Sequence, residues 1–361
     1  MKTIALDLVL VGFGHVGRRF ARLLQEQEKT LGRMHGLAWR VIGIATRSHG
    51  IAFSPAGLDV SQALTLVEGG GTLAKLRGNQ ATGPRATLGS AAELIEQATH
   101  ADDADRVQVM VETTVLDITR GQPAIDHVRK ALRAGAHVIT ANKGPVAFAY
   151  REIDDFATAL GRSFLFEGAV MDGVPIFNLV RETLPAVTIL GFRGIVNSTT
   201  NHILTEMEQG RAFGEALAEM QAAGIAEADA SLDVDGWDAA AKTAALLNVL
   251  MKAEATPRDI DRTGIDALTP GMLQDAKRQG QRLRLVATGG RRDGKAFGRV
   301  APELLPEGHA LARLRGMQNG LVLQTDLLGE ICMLQLEGGL TQTAYALLSD
   351  LVAVRRRLRG P

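Results

Sequence analysis

Leu6 to Val11 is an apolar run interrupted only by Asp7, and the amphipathic stretch RRFARLLQEQ follows it closely. That order predicts a buried strand leading into a helix. Ala38 to Arg47 predicts a second strand, and Val107 to Glu112 is the near-continuous apolar run expected of an interior strand in a parallel sheet. His137 to Thr140 repeats the signal, and helical patterns stand between the strands at Val60–Leu66, Ser90–Ala98 and Gln122–Ala134, with another at Phe148–Gly161. Strand and helix alternate, so the first part of the chain is expected to be α/β, a doubly wound parallel sheet. Further on the rhythm changes. A strand at Thr188–Val196 precedes a helix that begins near Thr199 to His202, and WDAAAKTAALLNVLMK reads as a long apolar helix without Pro or Gly. The expected division is 1–148 for the first domain and 149–330 for an α+β domain. The remaining 331–361 would carry a final helix, Gly339 to Arg357, that returns to the first domain.

Gly12-Phe13-Gly14-His15-Val16-Gly17 lies at the junction of the first strand and helix. Elsewhere a GxGxxG is weak; here it stands where a Rossmann-type fold needs it. The first Gly makes the turn, the second admits a pyrophosphate to the backbone, and the third lets helix pack on strand. The second strand ends in Ala45-Thr46-Arg47-Ser48, with no carboxylate to accept from ribose hydroxyls. Arg47 suits a 2′-phosphate, which favours NADP over NAD; the competing account leaves Arg47 in water and Thr46 tolerating NAD. Ligands of such sheets sit beyond the carboxyl ends of the strands, where Thr113, Thr114, Asn142 and Lys143 fall. Lys143 is a candidate for a substrate or catalytic contact, against the alternative of a surface loop lysine.

EADASLDVDGWDAAAKTAALL, from Glu227 to Leu247, gathers five carboxylates and a lysine. Asp238 and Lys242 are four apart on the predicted helix and so share a face. An exposed ion pair is the ordinary account of such spacing. In a dry cleft the same lysine gives and takes a proton, because desolvation favours its neutral form. Upstream, Glu167 follows an apolar strand and precedes a Gly-containing turn, a weak signal for a hard cation. Ser198, Thr199 and Thr200 open a helix, either as caps or as donors to a ligand carboxylate.

Composition removes other classes. Lys plus Arg number 40, as do Asp plus Glu, so no overall field favours nucleic acid or an anionic membrane. No helix-turn-helix or zinc pattern points to nucleic acid either. The single cysteine, Cys332, excludes an internal disulfide framework and fits a reducing compartment. The first apolar run is too short to span a bilayer and no cleavage pattern accompanies it. A soluble cytoplasmic protein is expected, with no nucleic-acid or membrane partner.

Taken together, GFGHVG, TANKGP, EGAVMDGVP, GIVNSTTNHIL and above all GIAEADASLDVDGWDAAAK resemble homoserine dehydrogenase. That enzyme interconverts L-homoserine and L-aspartate 4-semialdehyde by hydride transfer with NAD(P). The resemblance runs from about Leu8 to Asp350 and is thin between Ala52 and Asp105. It implies that Gly12 to Gly17 hold the dinucleotide, with Thr113, Thr114, Asn142 and Lys143 near the ribose and nicotinamide. It places Lys242 and Lys143 as catalytic lysines, with Glu227, Asp238, Thr199 and Ser198 beside the amino-acid substrate. Lys242 would accept the hydroxyl proton and Lys143 would stabilise the alkoxide. Glu167, with the carbonyls of Val170 and Asp172, falls on a monovalent-cation site, sodium for example. A homodimer formed through the second domain is implied as well.

This sequence departs from the family pattern in three places. Ser198 stands where Gly usually lies, Ala230 replaces a common Pro, and the turn before the last helix is reduced to Glu337-Gly338-Gly339-Leu340. An appended ACT regulatory domain, and feedback inhibition by threonine through it, are not expected. The rival readings are a dehydrogenase of the same scaffold acting on another amino or hydroxy acid, and a non-catalytic dinucleotide-binding redox sensor. The second has no need of the Asp238/Lys242 helix.

Overall fold

In the computed structural model, residues 3–80, 82–83, 86–99, 106–222 and 229–358 are described. Two compact units emerge. The first comprises residues 1–145, 151–173 and 340–361, the second 146–150 and 174–339.

The first unit is built on a six-stranded sheet. Its strands are β1 (Ile4–Val11), β2 (Leu37–Ala45), β3 (Ile51–Phe53), β6 (Arg106–Glu112), β7 (His137–Thr140) and β8 (Phe164–Leu165). A separate short hairpin, β4 (Thr82–Gly83) with β5 (Ala86–Thr87), lies between them in sequence. The order is β3-β2-β1-β6-β7-β8, and only the β2/β3 pair is antiparallel. The chain therefore winds outward one way from β1 to β2 and the other way from β6 to β8. This is the doubly wound Rossmann-type plan, and the switch lies between β1 and β6. Leu6, Leu8 and Leu10 of β1 are buried together with Phe20 and Leu24 of helix His15–Glu26, and Leu347 and Leu351 of helix Leu340–Arg357 join the same core. Asp7, the one charge in the β1 run, is buried and held by Arg40 and Arg106. A carboxylate in a core position needs such partners, because an unpaired buried charge is costly.

One element starts earlier than the pattern predicts. Helix Lys143–Ala159 begins directly after Asn142, whose side chain accepts from the Gly144 N–H at 2.8 Å. Pro145 falls in the first turn, where its missing N–H costs nothing. Ala149, at φ −145°, breaks the helix internally. The helix expected from Phe148 thus starts five residues earlier, and Lys143 is its first residue.

The second unit carries a mainly antiparallel sheet of β9 (Ile189–Ile195), β10 (Asp261–Arg262), β11 (Gln281–Arg292), β12 (Lys295–Pro306), β13 (Asn319–Thr325) and β14 (Glu330–Gln335). Its order is β10-β12-β11-β9-β13-β14. Asp293 and Gly294, both at positive φ, form the two-residue turn between β11 and β12, as the twist of a tight hairpin requires. Helix Trp237–Met251 lies against this sheet so closely that a Cβ on Gly298 would meet Leu247 and Thr243 at about 3 Å. Its Ala-rich sequence permits that approach, and its alanines are almost fully buried. Among the described residues no helix is long and apolar enough to cross a membrane.

Candidate active site

In the first unit the glycine turn is shaped by close approach. Gly12 has φ +96°, and a Cβ there would lie 2.5 Å from the carbonyl carbon of Thr113. Gly17 packs so near that its Cβ would stand 2.6 Å from the Gly12 carbonyl oxygen. Gly14 is the opposite case: a Cβ would meet nothing within 4 Å, and no side chain caps the helix that starts there. Uncapped first-turn N–H groups beside open space are an anion site in waiting.

That space is a cavity of about 780 Å³. Its wall is made by Gly12, Phe13, Gly14 and Arg18, by the segment Thr46 to Ile51, and by Thr113 to Asp117, with Gln122, Pro123 and His127 beyond them. The size suits a dinucleotide. Arg47 is on this wall, in a turn closed by Thr46, whose N–H and hydroxyl both donate to the Gly50 carbonyl at 3.0 and 2.9 Å. His15, Val16, Gly17, Asn142 and Lys143 are not among the wall residues. Val16 packs against the core, and Asn142 is buried. Arg18 and His49 line the cavity without having been singled out in the sequence, because nothing local distinguishes them from ordinary helix and turn residues.

Behind the wall stands Glu112, at the end of β6 and fully buried. It accepts from the Thr114 N–H at 3.0 Å and from the Thr114 hydroxyl, and its other oxygen lies 3.1 Å from the Thr140 hydroxyl. Asn142 closes the ring: its N–H donates to Thr140 Oγ1 at 2.9 Å and its amide to the Thr114 carbonyl at 3.0 Å. The ends of β6 and β7, which carry Thr113, Thr114, Asn142 and Lys143, are thereby tied to one carboxylate.

Glu167 opens a short 3₁₀ turn, Glu167–Ala169, and is itself buried. Its N–H donates to Asp350 Oδ2 at 2.8 Å, and Thr343 donates to Asp172 Oδ1 at 2.9 Å, so helix Leu340–Arg357 braces the segment from Glu167 to Asp172. Asp172 has φ +42°, a strained value for a side chain other than Gly. Among the described residues there is no group of three or more His, Cys, Asp or Glu able to hold a metal ion.

The second unit assembles the acidic helix start. Lys242 Nζ lies 2.9 Å from Asp238 Oδ2 and donates to the Val196 carbonyl at 2.6 Å. The pair is therefore no solvated surface bridge: the side chains are 14% and 17% exposed. Asn197 joins in, donating to Asp233 Oδ1 at 2.6 Å and to Asp238 Oδ2 at 2.9 Å, while its own oxygen accepts from the Thr200 N–H at 2.8 Å. The cap of helix Ser198–Glu208 is thus Asn197, not Ser198, Thr199 or Thr200. Ser198 Oγ accepts from Asn319 at 2.8 Å, and Thr199 is buried beside it. Gly236, at φ +80°, ends the short helix Ser231–Val234 and its following turn so that Trp237 can start the next helix. Arg262 stacks over Trp237 at 3.9 Å and donates to the Asp235 carbonyl, which steadies that junction. Asp229 is held below the usual carboxylate range by its hydrogen bonds from Ser231. Glu227 lies outside the described residues. Cys332 is exposed on β14.

Comparison with known proteins matches both units. A family profile described as the NAD binding domain of homoserine dehydrogenase covers residues 12–167, and one described as homoserine dehydrogenase covers 175–352. The NAD(+)-dependent homoserine dehydrogenase of Pseudomonas canavaninivorans is 34% identical over 350 residues, which cover 97% of this chain and 96% of the relative. The homoserine dehydrogenase of Methanocaldococcus jannaschii is 35% identical over 350 residues, 97% of this chain and 98% of the relative. Among solved structures, a hyperthermophilic archaeal homoserine dehydrogenase in complex with NADPH aligns with TM-score 0.80 at 28% identity, covering 99% of each chain. Another, from Thiobacillus denitrificans, aligns with TM-score 0.80 at 30% identity over 99% of this chain and 75% of that one.

Proposed function

The chain belongs to the homoserine dehydrogenase family, and from that premise we propose how its residues divide the reaction. The protein is an NAD(P)-dependent oxidoreductase that interconverts L-homoserine and L-aspartate 4-semialdehyde. When bound, the nicotinamide takes or supplies the hydride, and the chain supplies position and a proton path.

Lys242 is the proton acceptor in alcohol oxidation and the donor in aldehyde reduction. The observation that carries this is its anchoring between Asp238 and the Val196 carbonyl, in a site that Asn197 ties together. An ammonium so fixed gives its proton along one direction, and the carboxylate holds the side chain in place afterwards. Asp238 holds Lys242, and Asn197 draws Asp233 to the same place; carboxylates gathered there suit the ammonium of an amino acid. Asp238, with Glu227, takes that role, and Thr199 and Ser198 meet the substrate carboxylate at the start of helix Ser198–Glu208. Lys143 is the second active-site lysine and steadies the alkoxide.

The first unit takes the dinucleotide and the second the amino acid. Gly12, Phe13 and Gly14 offer the backbone to the pyrophosphate, while His15, Val16 and Gly17 shape the helix that receives it. Thr113, Thr114 and Asn142 form the nicotinamide side. Arg47, on a wall without a carboxylate at the end of β2, favours NADP over NAD. Glu167 with the carbonyls of Val170 and Asp172 is an all-oxygen set that suits a monovalent cation such as sodium; a buried carboxylate in that segment supports it. The protein works as a homodimer, a reading supported by the exposed apolar side chains Leu304, Leu334 and Leu336 of the second unit. Its single, free cysteine supports residence in the cytoplasm.

The test is oxidation of NADPH or NADH by the purified protein with aspartate 4-semialdehyde, beside related aldehydes and keto acids. Fast turnover of the semialdehyde with NADPH preferred supports the whole reading. Preference for NADH removes the role given to Arg47, and turnover only of another aldehyde removes the roles given to Ser198 and Thr199.

A further inference from the structure

Glu112 is an unusual residue to find where it stands. A carboxylate at the end of a central parallel strand, fully buried, ordinarily has a cation as partner. Among the described residues its hydrogen bonds come only from neutral groups, the Thr114 N–H and hydroxyl and the Thr140 hydroxyl. Among the described residues its ion-pair partner is His127, whose Nδ1 is 4.0 Å from Glu112 Oε1, buried, and with no hydrogen-bond partner among them. His127 and Thr114 both line the cavity, so the carboxylate lies one side chain behind its wall.

The two ends of this cavity differ. Thr46 and Arg47, beyond β2, receive the adenosine half of a dinucleotide in a sheet of this order, and the pyrophosphate passes the Gly12–Gly14 turn. The nicotinamide half then falls to the side of β6 and β7, where Glu112 holds Thr114, Thr140 and Asn142 in one ring. An oxidised nicotinamide ring carries a positive charge and a reduced one does not. A buried negative charge on that side, poorly screened by solvent, distinguishes between them.

We propose that Glu112 is a positioning residue with an electrostatic effect: it braces the loops that receive the nicotinamide, and its buried charge favours the oxidised cofactor over the reduced one. This rests on the assignment of the cavity to NAD(P). It makes the balance between the two cofactor forms a property of the protein and not of the cofactor alone.

The experiment is titration of the full-length protein with NADP⁺ and with NADPH, by calorimetry and by fluorescence, with thermal melts as a control of folding. Glu112→Gln keeps the shape and removes the charge. It is expected to weaken NADP⁺ relative to NADPH on the order of tenfold, the size of effect one unit charge exerts through a protein interior. Glu112→Asp keeps the charge but withdraws the oxygens from Thr114 and Thr140; both forms should weaken together, with their ratio unchanged. If Glu112→Gln does not fold, His127→Lys decides the matter: an ammonium paired with the carboxylate should move the ratio in the same direction. A ratio unmoved in Glu112→Gln, or in His127→Lys, overturns the electrostatic role. Failure of the unmodified protein to bind either form would instead overturn the cavity assignment, and this inference with it.

Discussion

Helix Ser198–Glu208 has an ionic cluster at each end, and the two are built differently. At its start, Asn197 links to Asp233 and Asp238, and Asp238 to Lys242. At its end, Glu208 meets Arg282 at 2.8 Å and Arg284 at 3.1 Å, with Arg315 at 3.8 Å. The Glu208 and Arg284 side chains are 2% and 0% exposed, against 17% and 14% for Asp238 and Lys242. Among the described residues Arg284 Nε and Nη2 have no hydrogen-bond partners, and burial pushes its guanidinium down from the ordinary value while Glu208 opposes the shift. Arginine at that site still cannot act as a proton carrier. Lysine can, and the residual exposure of Lys242 leaves a way for a ligand to reach it. On the roles proposed above, a structural ion cluster buries its central pair and uses a cation that never titrates, while a chemical one stays partly open and uses a cation that can. Glu208 also sits at the negative end of its helix, where a carboxylate is unfavourable by itself, which gives the arginines a physical reason to be there.

The contrast fails if the two clusters respond alike to removal of their charges. Lys242→Met should lower turnover by about 10³-fold with NADPH binding retained, the scale of a lost general acid–base; steady-state kinetics beside fluorescence titration measure both, and substantial residual activity would place the proton elsewhere. Glu208→Ala should instead destabilise the fold by about 3 kcal/mol, because two guanidinium groups lose their buried counter-charge. Denaturant unfolding reads that loss, and an unchanged midpoint would mean the cluster is dispensable. Asn197→Ala lies between them, removing a helix cap worth about 1 kcal/mol and loosening Asp238. Turnover should fall about tenfold, and a stability loss with intact turnover would separate the cap from the site.

His137 supplies a third kind of buried group, one that stays uncharged. Burial lowers its pKa from 6.5 to about 4, with Arg162 and Arg357 adding to the effect, and its Nδ1 accepts from the Ser163 N–H at 3.0 Å. Since the folded pKa is the depressed one, the unfolded chain binds the proton first as pH falls. The contribution of His137 is complete above about pH 6.5 and is lost between there and about pH 4. Melting temperatures across that window should fall more steeply for the unmodified protein than for His137→Gln, and parallel profiles would remove this group from the acid response.

Much of the first unit was legible because its signals are local. The turn at Gly12, the strand runs around Leu8 and Val109, and the helix after Gly14 are each encoded within a few neighbouring residues. Asp238 and Lys242 were legible for the same reason, since a helix of known period brings i and i+4 together whatever surrounds it. Asn197 was not, because its partners Asp233 and Asp238 are 36 and 41 residues away in sequence. Helix Lys143–Ala159 starts ahead of the expected Phe148 because the Asn142 side chain caps it and Pro145 falls within its first turn. Nothing nearby in the chain marks Glu112 either; its last partner, Thr140, comes 28 residues later.

What the sequence determined by itself is therefore periodic and short in range: element type, the glycine turn, the spacing of a carboxylate and a lysine on one helix face, and the motifs that carry the family resemblance. Tertiary structure alone decided which of those groups are shielded from water and what each is tied to. Lys242, the proposed proton carrier, is anchored only when the Val196 carbonyl and Asn197 arrive from another element, and Glu112, the proposed brace, gains Thr140 only when β7 pairs beside β6. The reason is physical. Helix and strand periods follow from bonds along the chain, while the strength of a charge depends on the solvent and partners that the folded neighbours leave it.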